Sequence, residues 1–275
     1  LREELKKGDS FPAARQRAVR ALIPEGDAGA LVRPNDILGV EYCKALRGSG
    51  IRPAAVLRRG AGHDSGTVED GVASASALRG LLRRGEEERA LSLMAPAMAE
   101  AYRAERAAGR APAALENCER AVLARLRFLE AADWAALDGG NEGLYRRFAR
   151  CAGSAAAVAE LLEAVKTKRY PLARLRRMVF WAYLGLPHQP PEGPAYLRVL
   201  AANERGTALL AGMRRTAALP VLTKPAAVRR LGPEAQRLFE LEARAGRLYA
   251  LACPDPAAVP GERRTGPVIR GGTAG

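Results

Sequence analysis

Apolar residues recur at three- and four-residue spacing through most of the chain, which predicts a largely helical protein interrupted by short apolar runs of strand length. Leu1 to Leu22 reads as one or two helices broken at Ser10-Phe11-Pro12, with Pro12 near a helix start, where its missing N–H costs nothing. A Gly/Pro loop from Pro24 to Pro34 follows. Ile37, Val40, Cys43 or Lys44, and Leu46 then make the buried stripe of a helix over Ile37 to Leu46, with Asn35 or Asp36 as its cap. Ala54 to Leu57 has the length of a buried parallel strand. Arg58 to Gly71 is a glycine-rich loop, and Ser74 and Ser76 precede another helix start. Helix, strand, polar loop and helix in this order make a βα-type crossover pattern.

Gly85 to Glu88 marks a boundary, beyond which only helical periodicity is legible as far as Leu186. The clearest helices span about Ala113 to Leu129, Glu142 to Cys151, Ser154 to Lys168 and Pro171 to Leu184, with Ser154 as an N-cap and Pro171 in a first turn. After a proline-rich linker the pattern changes. Tyr196 to Ala201 is strand-like, Glu204 to Thr216 helical, and Pro220 to Thr223 strand-like again, a small βαβ unit followed by a helix over Pro233 to Leu251. Beyond Pro254 the Pro/Gly/Arg composition predicts a loose tail. The expected domains are therefore 1–84, 85–187, 188–254 and a flexible tail over 255–275.

Composition adds a partner class. Of the 275 residues 48% are apolar and 27% charged, a globular balance, and the net charge is +14. A surplus this large attracts polyanions, with nucleic acid or anionic membrane the usual partners, although arginine-rich coding alone can decorate exposed helix faces. No run of about 18 apolar residues occurs, so no membrane helix is expected. The four cysteines, Cys43, Cys118, Cys151 and Cys253, never sit at a C-x-x-C spacing and read as free thiols in a reducing cytoplasm. The first residue is Leu and already reads as helix in progress, so the expectation is a piece of a longer protein.

Candidate chemistry falls into two regions. Asn35 opens a helix, either as its cap or as an amide that meets a ligand there. Arg58 and Arg59 follow the predicted strand, where ligands of open α/β sheets bind and where an arginine can pair with phosphate. Ser74-Ala75-Ser76-Ala77-Leu78-Arg79 puts two hydroxyls at a helix start with Arg79 one turn in, a phosphate cradle without a P-loop pattern. The second region is Lys166-Thr167-Lys168-Arg169-Tyr170, followed by Arg174, Arg176 and Arg177. A tyrosine among cations suits RNA, because rings stack on bases while cations hold phosphates; a solvated helix corner is the plainer alternative. Arg214, Arg215 and Lys224 add charge in the βαβ unit. The two histidines, His63 and His188, form no metal motif, and the 275 residues hold no Walker loop, dinucleotide G-x-G-x-x-G or H-x-G-H motif.

Several stretches together resemble the bacterial tRNA(Met) cytidine acetate ligases, a nucleotidyltransferase-like family. They are Gly8-Asp9-Ser10-Phe11-Pro12-Ala13-Ala14-Arg15-Gln16; Pro34-Asn35-Asp36-Ile37-Leu38-Gly39-Val40-Glu41-Tyr42 with Lys44-Ala45-Leu46; and Arg58-Arg59-Gly60-Ala61-Gly62. The others are Ala73-Ser74-Ala75-Ser76-Ala77-Leu78-Arg79, Lys166-Thr167-Lys168-Arg169-Tyr170 and Pro220-Val221-Leu222-Thr223-Lys224. They occur in family order over most of the chain.

The resemblance implies a fold class of α/β plus mainly α: the C-terminal half of a Rossmann-like nucleotidyltransferase domain, a helical region and a small βαβ unit. It implies an enzyme that uses ATP, with Mg2+, to activate acetate as acetyl-adenylate. The acetyl group then passes to N4 of the wobble cytidine of elongator tRNA-Met. By that resemblance Asn35, Arg58, Ser74, Ser76 and Arg79 bind ATP, and Lys166, Lys168, Arg169, Tyr170, Arg174 and Arg177 bind tRNA. The family's H-x-G-H block has no counterpart here, Asp36 stands for a more usual Asn, and the loop after Gly62 is one residue short. Catalytic groups are thus expected outside the 275 residues and the chain alone is expected to be inactive. The reading from another class is a non-catalytic RNA-binding module with a vestigial nucleotide fold.

Overall fold

The computed structural model describes residues 1–7, 11–22, 34–57, 68–69, 71–137, 143–168, 170–186 and 193–270. These are mostly helical, and each strand among them is two residues long. The chain divides into two compact units, Leu1–Ala104 with Thr167–Pro171, and Glu105–Lys166 with Leu172–Gly275.

The first unit begins with α1 (Arg2–Lys6) and α2 (Phe11–Arg20), joined by an Arg17–Glu4 ion pair at 2.6 Å. Helix α3 spans Pro34–Ala45. It opens at Pro34, so Asn35 and Asp36 lie inside the first turn and do not cap it. The run Ala54 to Leu57, expected as a buried strand, is irregular, and Val56 and Leu57 are 94% and 86% exposed. A strand needs a neighbour for its N–H and C=O groups and a cover for its face, and among the described residues nothing pairs with this run. A hairpin follows, β1 (Val68–Glu69) antiparallel to β2 (Val72–Ala73). Gly71 turns it at φ +73°, a conformation that asks for glycine. Helix α4 (Ala75–Arg83) then buries Ala77, Leu78 and Leu81, the two leucines packing with Ala90 of α5 (Glu87–Ser92).

The division between units falls within α6 (Pro96–Ala107). The second unit is a helical cluster of α7 (Leu115–Arg127), α8 (Ala131–Ala136), α9 (Leu144–Ala152), α10 (Val158–Val165) and α11 (Leu172–Leu184). It holds Trp134 stacked on Phe148 at 4.6 Å, both fully buried, and Leu126, Leu144, Leu161 and Leu175 are fully buried as well. Each such side chain contributes about 1.5–3 kcal/mol by leaving water. Helix α10 starts later than Ser154 and ends before Lys168, and both bounds have tertiary causes. At its start Glu119 on α7 accepts from the Val158 N–H at 2.9 Å, and Glu160 in its own first turn accepts from the Ala156 N–H ahead of the helix at 2.8 Å. Its last carbonyls, on Ala164 and Val165, accept from the Arg147 guanidinium at 3.0 and 3.2 Å.

The same unit continues through β3 (Leu197–Arg198), β4 (Ala201–Ala202), α12 (Glu204–Thr216), β5 (Val221–Leu222) and α13 (Pro233–Ala250). Strands β3 and β5 are parallel with α12 in the connection between them, over a core of Tyr196, Leu222, Val228, Ala235, Phe239 and Ala243. The stretch expected as one strand, Tyr196 to Ala201, is two strands with different partners, because β4 pairs in parallel with β6 (Val268–Ile269). Residues 255–270, expected as part of a loose tail, thus carry a strand and a capped turn. Asp255 caps a short turn over Pro256–Ala258, and Glu262 packs on α13 where Gly246 leaves room. The other end of that segment is tied by Gly109, at φ +74°, where a Cβ would come within 2.9 Å of the Asp255 Cβ.

Candidate functional site

In the first unit the hairpin delivers the chain into α4 at Ser74, whose backbone is extended at φ −70° and ψ 156°. The Ser74 hydroxyl oxygen accepts from the Ala77 N–H at 3.0 Å, and the residue is 2% exposed. Ser74 is thus engaged as the cap. Because α4 buries Ala77, Leu78 and Leu81, helical geometry turns Ser76, Arg79 and Arg83 to the opposite face. Arg79 reaches back and donates to the Ser76 hydroxyl at 3.4 Å. The N–H groups of the first turn, a hydroxyl and a guanidinium share one helix end, where negative charge is favoured. At the far end of α4, Glu86 is held below the usual carboxylate range first by its hydrogen bond from Arg84 and then by that from Arg89. That acid is neutralised by its own neighbours.

Asn35 is exposed in the first turn of α3. Arg58, Arg59 and His63 lie outside the described residues. Of the residues expected to cradle phosphate, Ser74, Ser76 and Arg79 lie at the start of α4, and Asn35 lies at the start of α3 in the same unit.

The basic region divides. In the first unit Thr167 and Tyr170 form an antiparallel bridge, with Lys168 exposed in the turn between them and Arg169 outside the described residues. Tyr170 is 6% exposed, so its ring is buried rather than presented to solvent where a base could stack on it. In the second unit Lys166 is exposed and 3.6 Å from Glu163, Arg174 is half-buried, and Arg176 and Arg177 are exposed on α11. His188 lies outside the described residues.

Sequence reasoning passed over an ionic centre in the second unit. Arg198 on β3 bonds Glu262 and lies 3.5 Å from Glu242, while the Tyr196 hydroxyl donates to Glu242 at 2.7 Å. The Arg198 guanidinium also lies 5.7 Å from the Phe239 ring centre. Burial, and then the bond to Glu242, push the Tyr196 hydroxyl well above its ordinary range. Burial likewise raises the thiols of Cys118 and Cys253. Alternation on β3 was the one signal available for this centre, and a two-residue strand scarcely carries it.

Against known proteins, residues 1–263 match the family model described as HIGH Nucleotidyl Transferase. The chain belongs to this nucleotidyl transferase family. It is 32% identical over 284 aligned residues to the tRNA(Met) cytidine acetate ligase of Thermotoga maritima, covering 96% of this chain and 68% of that one. It is 31% identical to the tRNA(Met) cytidine acetate ligase of Kosmotoga olearia, covering 88% of this chain and 62% of the relative. The chain thus spans less than two thirds of the Kosmotoga relative's length. Among solved structures it is similar to apo Thermotoga maritima TmcAL, at a TM-score of 0.89 and 29% identity over 98% of this chain and 70% of that one. It also resembles the same protein bound with alpha-thio ATP, at a TM-score of 0.84. The nucleotidyltransferase-like fold expected from the sequence is therefore shown, in a chain that is mostly helical.

Among the described residues no helix is long and apolar enough to cross a membrane. Nor does any group of three His, Cys, Asp or Glu side chains among them suit a metal ion.

Proposed function

We propose that the 275 residues are the larger, C-terminal part of a tRNA(Met) cytidine acetate ligase. Its reaction joins acetate to ATP as acetyl-adenylate with release of pyrophosphate, then passes the acetyl group to N4 of the wobble cytidine of elongator tRNA-Met. The observation that carries this reading is the match in fold, over 98% of this chain, to a protein solved with an ATP analogue. In this reading Ser76 and Arg79 meet the triphosphate and Ser74 fixes the helix end that presents them. Asn35 and Arg58 complete the ATP side, and the βαβ unit and the basic residues Lys166, Lys168, Arg169, Arg174 and Arg177 serve the RNA.

The exposed run Ala54 to Leu57 supports the further reading that this chain carries half of the nucleotide sheet. An apolar tetrapeptide this exposed, with no strand neighbour among the described residues, has the character of a sheet position without its partner strands. Adenylation rests on positioning donors around the α-phosphate, so the chain alone is expected to be inactive. A non-catalytic RNA-binding module is the second reading; it shares the RNA affinity and differs on ATP.

The test is a fusion of the first third of the Thermotoga maritima relative to this chain. Acetate-dependent pyrophosphate release is expected from the fusion, absent from the 275 residues alone, and lost again in the fusion on Arg79→Ala. A folded fusion that binds tRNA but releases no pyrophosphate overturns the ligase reading. Acetyl-tRNA made by the 275 residues alone overturns the half-domain reading.

A further inference from the structure

We propose that the groove between α13 and the segment over residues 256–264 holds an RNA phosphodiester backbone, with Arg247 and Arg264 pairing its phosphates and Tyr249 stacking a base at its side. This inference rests on the RNA-acting reading above and adds a surface to it.

The groove has a volume of about 650 Å³, and Ala243, Gly246 and Ala250 form its wall on α13. Small residues on that wall let a bulky sugar–phosphate chain come close. Gly246 also sets how near the opposite wall lies, since a Cβ there would stand 3.2 Å from the Glu262 side chain.

Charge decides the occupant. Acidic side chains lie near the groove, but they are already paired. Glu262 is bonded to Arg198 and Glu240 to Arg263. Arg244, one turn before Arg247, donates to the Gly185 carbonyl at 2.7 Å. Arg247 and Arg264 line the groove, are exposed, and have no carboxylate partner among the described residues. Two unpaired guanidiniums over a wall of small residues match successive phosphates, which arginine takes bidentately. Tyr249 is 58% exposed and stands three residues beyond Gly246, on the neighbouring strip of the same helix. An exposed ring on the same helix as a free guanidinium is the pattern of a base-stacking site, and here it is exposed where Tyr170 is buried.

The experiment is binding of transcribed tRNA by fluorescence anisotropy between about 50 and 200 mM salt. The 275-residue chain is expected to bind with a steep log–log salt slope. Arg247→Ala with Arg264→Ala is expected to flatten that slope by about 1.5, since each lost phosphate contact removes about 0.7–0.9. Tyr249→Ala is expected to weaken binding about 5- to 100-fold with the slope unchanged, and Tyr249→Phe to restore it. Arg237→Ala, an exposed arginine on another face of α13, is expected to leave affinity and slope alone, and circular dichroism checks that each variant is folded.

A chain that binds tRNA with the same slope after the double arginine substitution overturns the groove and leaves the RNA-acting reading standing. Affinity lost without a change of slope also overturns it, because the contacts would not be to phosphate. A chain with no tRNA affinity at all removes the RNA-acting reading and the groove with it.

Discussion

Arg198 holds three parts of the second unit together, and replacing it with methionine measures how much. The guanidinium joins β3 to Glu242 on α13 and to Glu262 on the segment that follows, and it lies over the Phe239 ring. Its side chain is 21% exposed, against 38% and 30% for the two carboxylates, so neither pair is fully solvated and neither is dry. About 1 kcal/mol for each pair is appropriate at that burial, the upper end of the surface range. The ring contact adds about 0.5–1 kcal/mol. Arg198→Met keeps the aliphatic stem and leaves two carboxylates without their shared cation, so the expected loss is about 2–3 kcal/mol. For a unit of this size that lowers the melting temperature by about 4–12 °C.

Both tryptophans, Trp134 and Trp181, lie in the second unit, so a melt followed by tryptophan fluorescence reports on that unit. Glu262→Gln is expected to cost about 1 kcal/mol by itself and little once Arg198 is gone, and the double-mutant cycle isolates the shared bond. Concentrated salt should narrow the gap between the parent and Arg198→Met. A melting temperature within about 1 °C of the parent would refute the reasoning and mark the cluster as surface decoration.

Three other outcomes follow from single features. Because the Tyr196 hydroxyl is pushed above its ordinary range, the stability it contributes is intact below the unfolded value of about 10 and is lost as pH rises past it. Tyr196→Phe should therefore flatten the decline in melting temperature between about pH 9 and 11, and parallel curves would contradict this. A thiol reagent should modify exposed Cys43 at once and half-buried Cys151 more slowly. It should reach Cys118 and Cys253 only after denaturant, because burial shields those thiols and raises them; four fast reactions would be the contrary result. Val56→Lys with Leu57→Lys should lower the dye-binding hydrophobicity of the 275-residue chain without loss of helix, yet abolish pyrophosphate release by the fusion. If activity of the fusion survives, residues 54–57 are not an inner strand.

The elements that were legible in the sequence are those whose causes are local. α2 with Pro12 in its first turn, α12 with Asn203 capping Gly206, and α13 with Pro233 at its start carry their own periodicity and punctuation. The ones misread have causes that come from elsewhere in the chain. The start of α10 slipped past Ser154 because Glu119, on α7, supplies a carboxylate to it, and nothing near Ser154 announces that partner. Strand β6 went unread because Val268 and Ile269 become a strand only by lying beside Ala201 and Ala202.

The same distinction runs through the site. Ser74 as a cap is a local fact and was legible, whereas the fate of Tyr170 turns on burial, which the surrounding lysines and arginine did not betray. Ala54 to Leu57 is the converse case, a run whose apolar pattern fits a strand and whose partner is not among the described residues. Arg247 and Arg264 look like two of many arginines until the pairing of Glu240 and Glu262 is known. In a chain with a net charge of +14 the informative basic residues are those whose acidic neighbours are already engaged, and that is a property of the fold.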